Sequence, residues 1–189
     1  MERFQRHAPL ELVTYPEPPI EDRSGPALSS GGIFKLLATV AADELSPAAL
    51  DLLDRIDPEA WYRGQILESL LSELEDRDPG LPYTVGRLTN LLMREDFRRL
   101  GLTSPERMLE HLPGLWPKFT RGDTGWWRTH ILGPGRARVE MQQPYNCRFE
   151  AGGLFGMLES CYLTDLTLDH PVCMRDGAEF CVLEVRWSE

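Results

Sequence analysis

Apolar residues between positions 33 and 119 recur at three- and four-residue intervals, the spacing of helices with one buried face. Ile33 to Leu45 carries Leu36, Leu37 and Val40 at that spacing. Ser46-Pro47 then sets a cap and a first-turn proline for a short helix through Ile56. Asp57-Pro58 starts a third, with Trp61, Ile66, Leu67, Leu70, Leu71 and Leu74 forming a wide stripe to about Glu75. A fourth runs from Tyr83 to Leu100 and ends at Gly101, and a fifth opens at Ser104-Pro105 and runs through Met108, Leu109 and Leu112 towards Trp116 and Phe119.

Beyond residue 126 the period changes to two. Trp127, Thr129 and Ile131 alternate with Trp126, Arg128 and His130, Gly133-Pro134-Gly135 turns the chain, and Ala137, Val139 and Met141 alternate with Arg136, Arg138, Glu140 and Gln142. That is a hairpin with one wet face. A helix follows from about Phe149 to Tyr162, in which Gly152, Gly153 and Gly156 allow another backbone to come close. A second hairpin, Leu166 to Cys173 and Phe180 to Trp187, turns at Asp176-Gly177-Ala178. The expected fold class is α+β: a helical first half packed on one antiparallel sheet of two hairpins in the order β-β-α-β-β. Residues 1–30 read as a Pro-rich arm, broken by Pro9, Pro16, Pro18, Pro19 and Pro26, and residues 31–189 as one domain. Leu10, Leu12, Val13 and Tyr15 leave open whether the arm lies on a body or hangs free.

Composition narrows the function classes. A chain of 189 residues with 42% hydrophobic and 26% charged residues has ordinary globular make-up, and a net charge of −10 argues against a broad grip on nucleic acid or anionic lipid. Apolar runs fall short of the ~18 residues a membrane span needs, and the start, Met-Glu-Arg-Phe-Gln-Arg-His, has no secretory h-region, so a cytoplasmic location is expected. A dinucleotide fingerprint, a phosphate loop and a serine nucleophile elbow are all missing, and His7, His111 and His130 stand apart from any Cys or carboxylate cluster. Enzymatic chemistry is therefore not expected.

The remaining candidate chemistry is in the cysteines. Across the turn at Asp176–Ala178, Cys173 would face Cys181, with His170 three residues before and Cys147 at the start of the glycine-bearing helix, where the dipole favours a thiolate. Such a set could hold a tetrahedral zinc. A Cys173–Cys181 disulfide and four plain buried thiols are the alternatives the spacing leaves open, and Cys161, on the apolar face mid-helix, reads as core.

The stretch Cys147 to Trp187, with His170-Pro171-Val172-Cys173 and then Cys173-x7-Cys181 around a Gly, resembles the vinyl-reductase-type hydrocarbon-binding domain. That family is known from aromatic-responsive transcription regulators and from chlorophyll biosynthesis, and is similar to subunits of vesicle-tethering transport particles. The resemblance implies structural Zn(2+) on Cys147, His170, Cys173 and Cys181, although the second ligand in the regulators is typically acidic and Asp169 is adjacent. It also implies a homodimer and a pocket for an apolar or aromatic small molecule between helices and sheet. The residues expected to line that pocket are Trp127, Ile131, Val139 and Met141 from the hairpin and Trp61, Tyr83, Trp116 and Phe119 from the helices. The expected function is a non-enzymatic sensor or adaptor that signals through a partner protein. The alternatives are an interaction module without a ligand, or an accessory protein related to tetrapyrrole vinyl reduction.

Overall fold

The computed structural model describes every residue except Glu2, Thr164 and Glu189. The chain is α+β, with seven α-helices and two antiparallel sheets among the described residues. In order these are β1 (Thr14–Tyr15), β2 (Leu28–Ser30), α1 (Gly31–Ala41), α2 (Pro47–Asp54), β3 (Trp61–Arg63), α3 (Gly64–Arg77), α4 (Leu81–Leu92) and α5 (Arg94–Arg99). Then come α6 (Pro105–Leu115), β4 (Thr120–Arg121), β5 (Trp126–Gly133), β6 (Arg136–Gln142), α7 (Cys147–Glu159), β7 (Leu166–Val172) and β8 (Cys181–Trp187).

Helix starts follow their caps. The Ser46 hydroxyl accepts from the Ala49 N–H at 3.2 Å, and the Asn146 side chain opens α7 by accepting from the N–H groups of Arg148 (3.0 Å) and Phe149 (3.3 Å). The turn after β5 uses Gly135 in the left-handed region, at φ +66°. Strand pairing puts Trp127 opposite Met141 and Ala137 opposite Val185, so one face of the sheet β5-β6-β8-β7 is apolar. That face and α6–α7 form one core, around Met108, Leu109, Val139, Met141, Leu158 and Leu183. A second core, around Phe34, Leu37, Leu53, Tyr62, Leu70 and Leu71, joins α1, α2 and α3.

Three expectations need correction. The chain has two sheets, not one: short strands from distant segments pair in the order β1-β3-β2-β4. Strand β3 displaces the predicted start of the third helix, which begins at Gly64 rather than Asp57-Pro58. Tyr62 is fully buried in β3 and its hydroxyl accepts the Asp57 N–H at 2.8 Å, so tertiary pairing overrides a pattern that reads as helical. The predicted helix from Tyr83 to Leu100 divides at Met93 into α4 and α5.

Residues 1–30 lie on this body. Gln5 and Gln65 exchange hydrogen bonds of 2.9 and 2.7 Å, the Phe4 ring meets Tyr145 edge-on at 5.4 Å, and β1 and β2 are strands of the first sheet. The glycines of α7 face inward, against α4 of the same chain: a Cβ on Gly152 would meet the Tyr83 backbone, and one on Gly156 the Arg87 backbone. They therefore give no support to a homodimer. Among the described residues no helix is long and apolar enough to cross a membrane.

Candidate functional site

Where the two cores meet, an aromatic-lined cavity of about 70 Å³ opens. One water needs ~10–15 Å³ by this measure, so there is room for about five water-sized groups. Its helical side consists of Ile33, Leu67, Asn90, Met93, Phe97, Leu112 and Leu115. Trp116, Phe119 and Trp127 come from the chain running from α6 into β5, while Tyr145, Phe149, Glu150, Gly153, Leu154 and Met157 come from α7 and its approach. Trp116 packs against both cores, and its ring stands 5.5 Å from that of Trp127 and 5.7 Å from that of Tyr145.

Few polar groups interrupt this lining. The Tyr145 and Ser29 hydroxyls share a hydrogen bond at 3.0 Å, and the Asn90 amide donates to the Gly86 carbonyl at 3.1 Å. The indole N–H groups of Trp116 and Trp127 are buried and have no partner. Glu150 is the one ionisable acid among the lining residues. Burial, with smaller contributions from Cys147 and Glu68, holds its carboxyl well above the ordinary carboxylate range.

Of the eight residues expected to line a pocket, the structure gathers Trp116, Phe119 and Trp127 around this cavity. Val139 and Met141 are fully buried beneath it in the sheet core. Ile131 is 40% exposed near the turn end of the edge strand β5. Trp61 belongs to the first sheet, with the Arg121 guanidinium 4.4 Å above its ring, and Tyr83 packs on Phe155 at the α4–α7 contact. Sequence reasoning missed Phe149, Glu150 and Met157 because their helix read as a glycine face, and missed Tyr145 because it lies in a loop. The available signal was Glu150, an acid flanked on both sides by apolar residues.

Beside the cavity, the Sγ atoms of Cys147, Cys173 and Cys181 lie within 4.8 Å of one another. The Cys181 thiol donates to the Cys147 sulfur at 3.4 Å, and the Met174 N–H donates to the Cys181 sulfur at 3.2 Å. The contact with Cys181, followed by burial, pushes the Cys147 thiol up; burial does the same for Cys173. His170 is not in this group. It sits where β7 bulges between Asp169 and Val172, half-buried, with its Nε2 unpartnered. Its ring nitrogens lie outside the group that the three sulfurs form, although His170 and Cys173 line the same surface recess. Val172 pairs with Val182 at the end of β7, so the next residues along, Cys173 and Cys181, face each other at the turn end of the hairpin as expected, and both sulfurs belong to the group.

On the other side of α3, Glu68 and Glu75 form a second buried acid cluster. The Arg175 guanidinium bonds Glu75 at 2.7 Å and Glu68 at 2.9 Å, and Arg6 from the N-terminal segment reaches Glu75 at 3.3 Å. Burial raises the Glu68 carboxyl to about 7, against the opposing pull of Arg175.

This α+β arrangement is that of H-NOX domains. The structure matches an H-NOX protein from Shewanella oneidensis solved in the Fe(II)NO ligation state, with a TM-score of 0.69 and 14% identity over 85% of this chain and 99% of that one. It also matches an Fe(II) unliganded H-NOX protein from K. algicida (TM-score 0.60, 13% identity, 85% and 97% covered). A third match comes from work on heme distortion in the H-NOX family (TM-score 0.64, 12% identity, 84% and 93% covered). At such identities the likeness establishes the fold alone. No protein-family model matches the chain, and no curated protein matches it by sequence.

Two expectations are overturned by this finding. The structural neighbours are H-NOX domains and not vinyl-reductase-type hydrocarbon-binding domains; the Cys and Gly spacing behind the resemblance spans only the last quarter of the chain, a local helix-and-hairpin pattern. Zinc as cofactor is corrected as well. The structural neighbours are known as iron and heme proteins, and the three thiols are a proximity without the fourth ligand.

Proposed function

We propose that this chain is a non-enzymatic sensor domain of the H-NOX fold that binds a small, largely apolar molecule in the aromatic cavity, without heme. The supporting observation is the position of the cavity, which lies at the junction of the two cores and draws its walls from both, so that an occupant would bias how the helical half sits on the sheet half. A sensor of this kind passes its signal to a partner protein.

Heme, which the fold family implies, does not fit the residues present. Heme iron is held by His, Cys thiolate, Met with His, or Tyr. No His or Cys lines the cavity. His111 lies on the exposed side of α6, where its Nδ1 contacts the Arg107 carbonyl at 2.8 Å, and it is Leu112 and Leu115 of that helix that face inward. The Tyr145 hydroxyl is taken by Ser29. No Lys or Arg lines the cavity to meet the two propionates. A porphyrin is also several times larger than the available volume, which Trp116, Trp127, Phe119 and Phe149 narrow.

A thermal-shift screen of compact apolar compounds tests the reading. Binders should raise the melting temperature with their saturation of the site and quench Trp fluorescence. A broad screen without a single saturable binder would leave the other reading, an interaction module without a ligand. That reading has its own support in Leu88 and Leu92, one turn apart on α4 and 38% and 51% exposed.

A further inference from the structure

Among the described residues, the aromatic cavity holds one acid and no base: Glu150 lines it, and no Lys, Arg or His does. Several of its neighbours in the wall are matched within the chain, Tyr145 with Ser29, the Asn90 amide with the Gly86 carbonyl, and the Thr120 hydroxyl donating to the Trp116 carbonyl at 3.0 Å. The indole nitrogens of Trp116 and Trp127 are sealed within the wall, out of an occupant's reach. Glu150 is neither matched nor sealed. It is only 6% exposed, its carboxylate oxygens have no hydrogen-bond or ion-pair partner among the described residues, and, unlike the indole nitrogens, they keep accessible surface. Elsewhere the chain pairs its buried acids, as Glu68 and Glu75 are paired with Arg175.

The rings around this acid favour the same sign of charge. Phe97, Trp116, Phe119, Trp127, Tyr145 and Phe149 all line the cavity, and the planes of Trp116 and Trp127 are inclined by 55° and those of Trp116 and Tyr145 by 78°, so the wall is a box and not a stack. Aromatic faces carry partial negative charge and attract cations, most strongly where water is excluded. An anionic occupant would meet Glu150 without a counter-charge, and a plain hydrocarbon would leave the carboxyl buried and unpartnered. We propose that the ligand is a small alkylammonium cation, its charge paired with Glu150 and its carbon substituents lying among the surrounding rings. The inference rests on the proposed binding role of the cavity and adds the chemical class of its occupant. Positive charge there would offset the burial that disfavours the ionised Glu150 carboxyl, and a net charge of −10 draws cations to the chain. The volume, room for about five water-sized groups, limits the cation to about four or five heavy atoms.

The test compares two probes of equal shape, tert-butylammonium and tert-butanol, titrated into the full chain at neutral pH by calorimetry and Trp fluorescence. Both donate hydrogen bonds, so charge is what separates them. The ammonium should bind about tenfold more tightly, a difference of ~1.4 kcal/mol. Glu150→Gln keeps the shape and removes the charge; it should bring the ammonium to within about twofold of the alcohol while leaving the alcohol's own affinity within about twofold. Phe119→Leu removes one ring and should weaken the ammonium by about threefold relative to the alcohol. Circular dichroism melting confirms that each variant folds, and the wild-type comparison decides without them. If the alcohol binds the wild type as well as the ammonium does, the cation proposal fails while the cavity reading stands. An ammonium preference that survives in Glu150→Gln overturns the proposal in the same way. If neither probe saturates the wild type at millimolar concentration, both the proposal and the binding role beneath it are overturned.

Discussion

Helices α4 and α7 pack backbone against backbone, and that contact gives a sharp test of the architecture. Gly156→Ala would put a Cβ 2.9 Å from the Arg87 carbonyl carbon and 3.0 Å from the Arg87 Cα, with the carbonyl oxygen closer still. Carbon atoms rest at about 3.5–4.0 Å, so the helices must separate by ~0.5–1 Å, and a gap of that size forfeits a quarter to a half of each contact's dispersion energy. The obstacle is backbone, so no rotamer change relieves it. Overpacking of this kind costs ~1–3 kcal/mol, here at the upper end because the obstacle is a backbone carbonyl, and a helical Ala in place of Gly returns about 1 kcal/mol. A net loss of about 2 kcal/mol should lower the melting temperature by ~4–8 °C in a chain of this size. Gly152→Ala meets the Tyr83 backbone in the same manner and should behave alike, whereas Gly114→Ala, with nothing within 4 Å of its Cβ, should be neutral or stabilising by up to ~1 kcal/mol. Calorimetric melting of the three variants decides the matter. An unchanged or raised melting temperature for Gly156→Ala would show that the two helices do not approach this closely.

Other perturbations probe other parts of the molecule. Hemin added to the purified protein should give no stoichiometric Soret complex, and His111→Ala should change nothing; a sharp Soret band lost in that variant would refute the donor argument. Glu68 has its carboxyl raised to about 7 from an ordinary 4.5, so its contribution to stability is full below about pH 4.5 and is lost as pH rises through about 7. Urea unfolding should therefore show stability falling by up to ~3 kcal/mol between pH 5 and 8, and Glu68→Gln should flatten that slope. Arg87→Met removes a two-point pairing with Glu159 (2.6 and 2.5 Å) that is partly solvent-exposed, so urea unfolding should show a loss of about 1 kcal/mol or less, below that of Gly156→Ala.

Much of the secondary structure was legible because its signals are local. The alternation from Trp126 to Gln142, the Ser46-Pro47 and Ser104-Pro105 starts and the Gly133-Pro134-Gly135 turn depend on neighbours along the chain. The first sheet was not, because its strands are two or three residues long and owe their existence to partners far away: Leu28 pairs with Arg63 and with Arg121. No short-range period can announce a strand of that length. Trp61 illustrates the cost. It fits a helical stripe by spacing, yet tertiary pairing places it in β3 under the Arg121 guanidinium.

The site was harder to read than the fold for a different reason. Trp116, Phe119 and Trp127 could be nominated from sequence because aromatic residues near an apolar hairpin face must be buried somewhere. What gathers them with Tyr145 and Phe149 around one cavity at the junction of the two cores is a property of relative position that composition does not carry. The cysteines are the converse case. Their spacing brings three sulfurs together, but the same spacing does not reveal that His170, at the irregularity of β7 between Asp169 and Val172, stays outside that group. The fold neighbours carry iron, and this chain keeps their architecture while placing Leu112 and Leu115, not His111, towards the cavity. On the reading proposed here, the turn of α6 leaves His111 at the surface, beside the Arg107 carbonyl, and gives the cavity an apolar wall without an iron ligand.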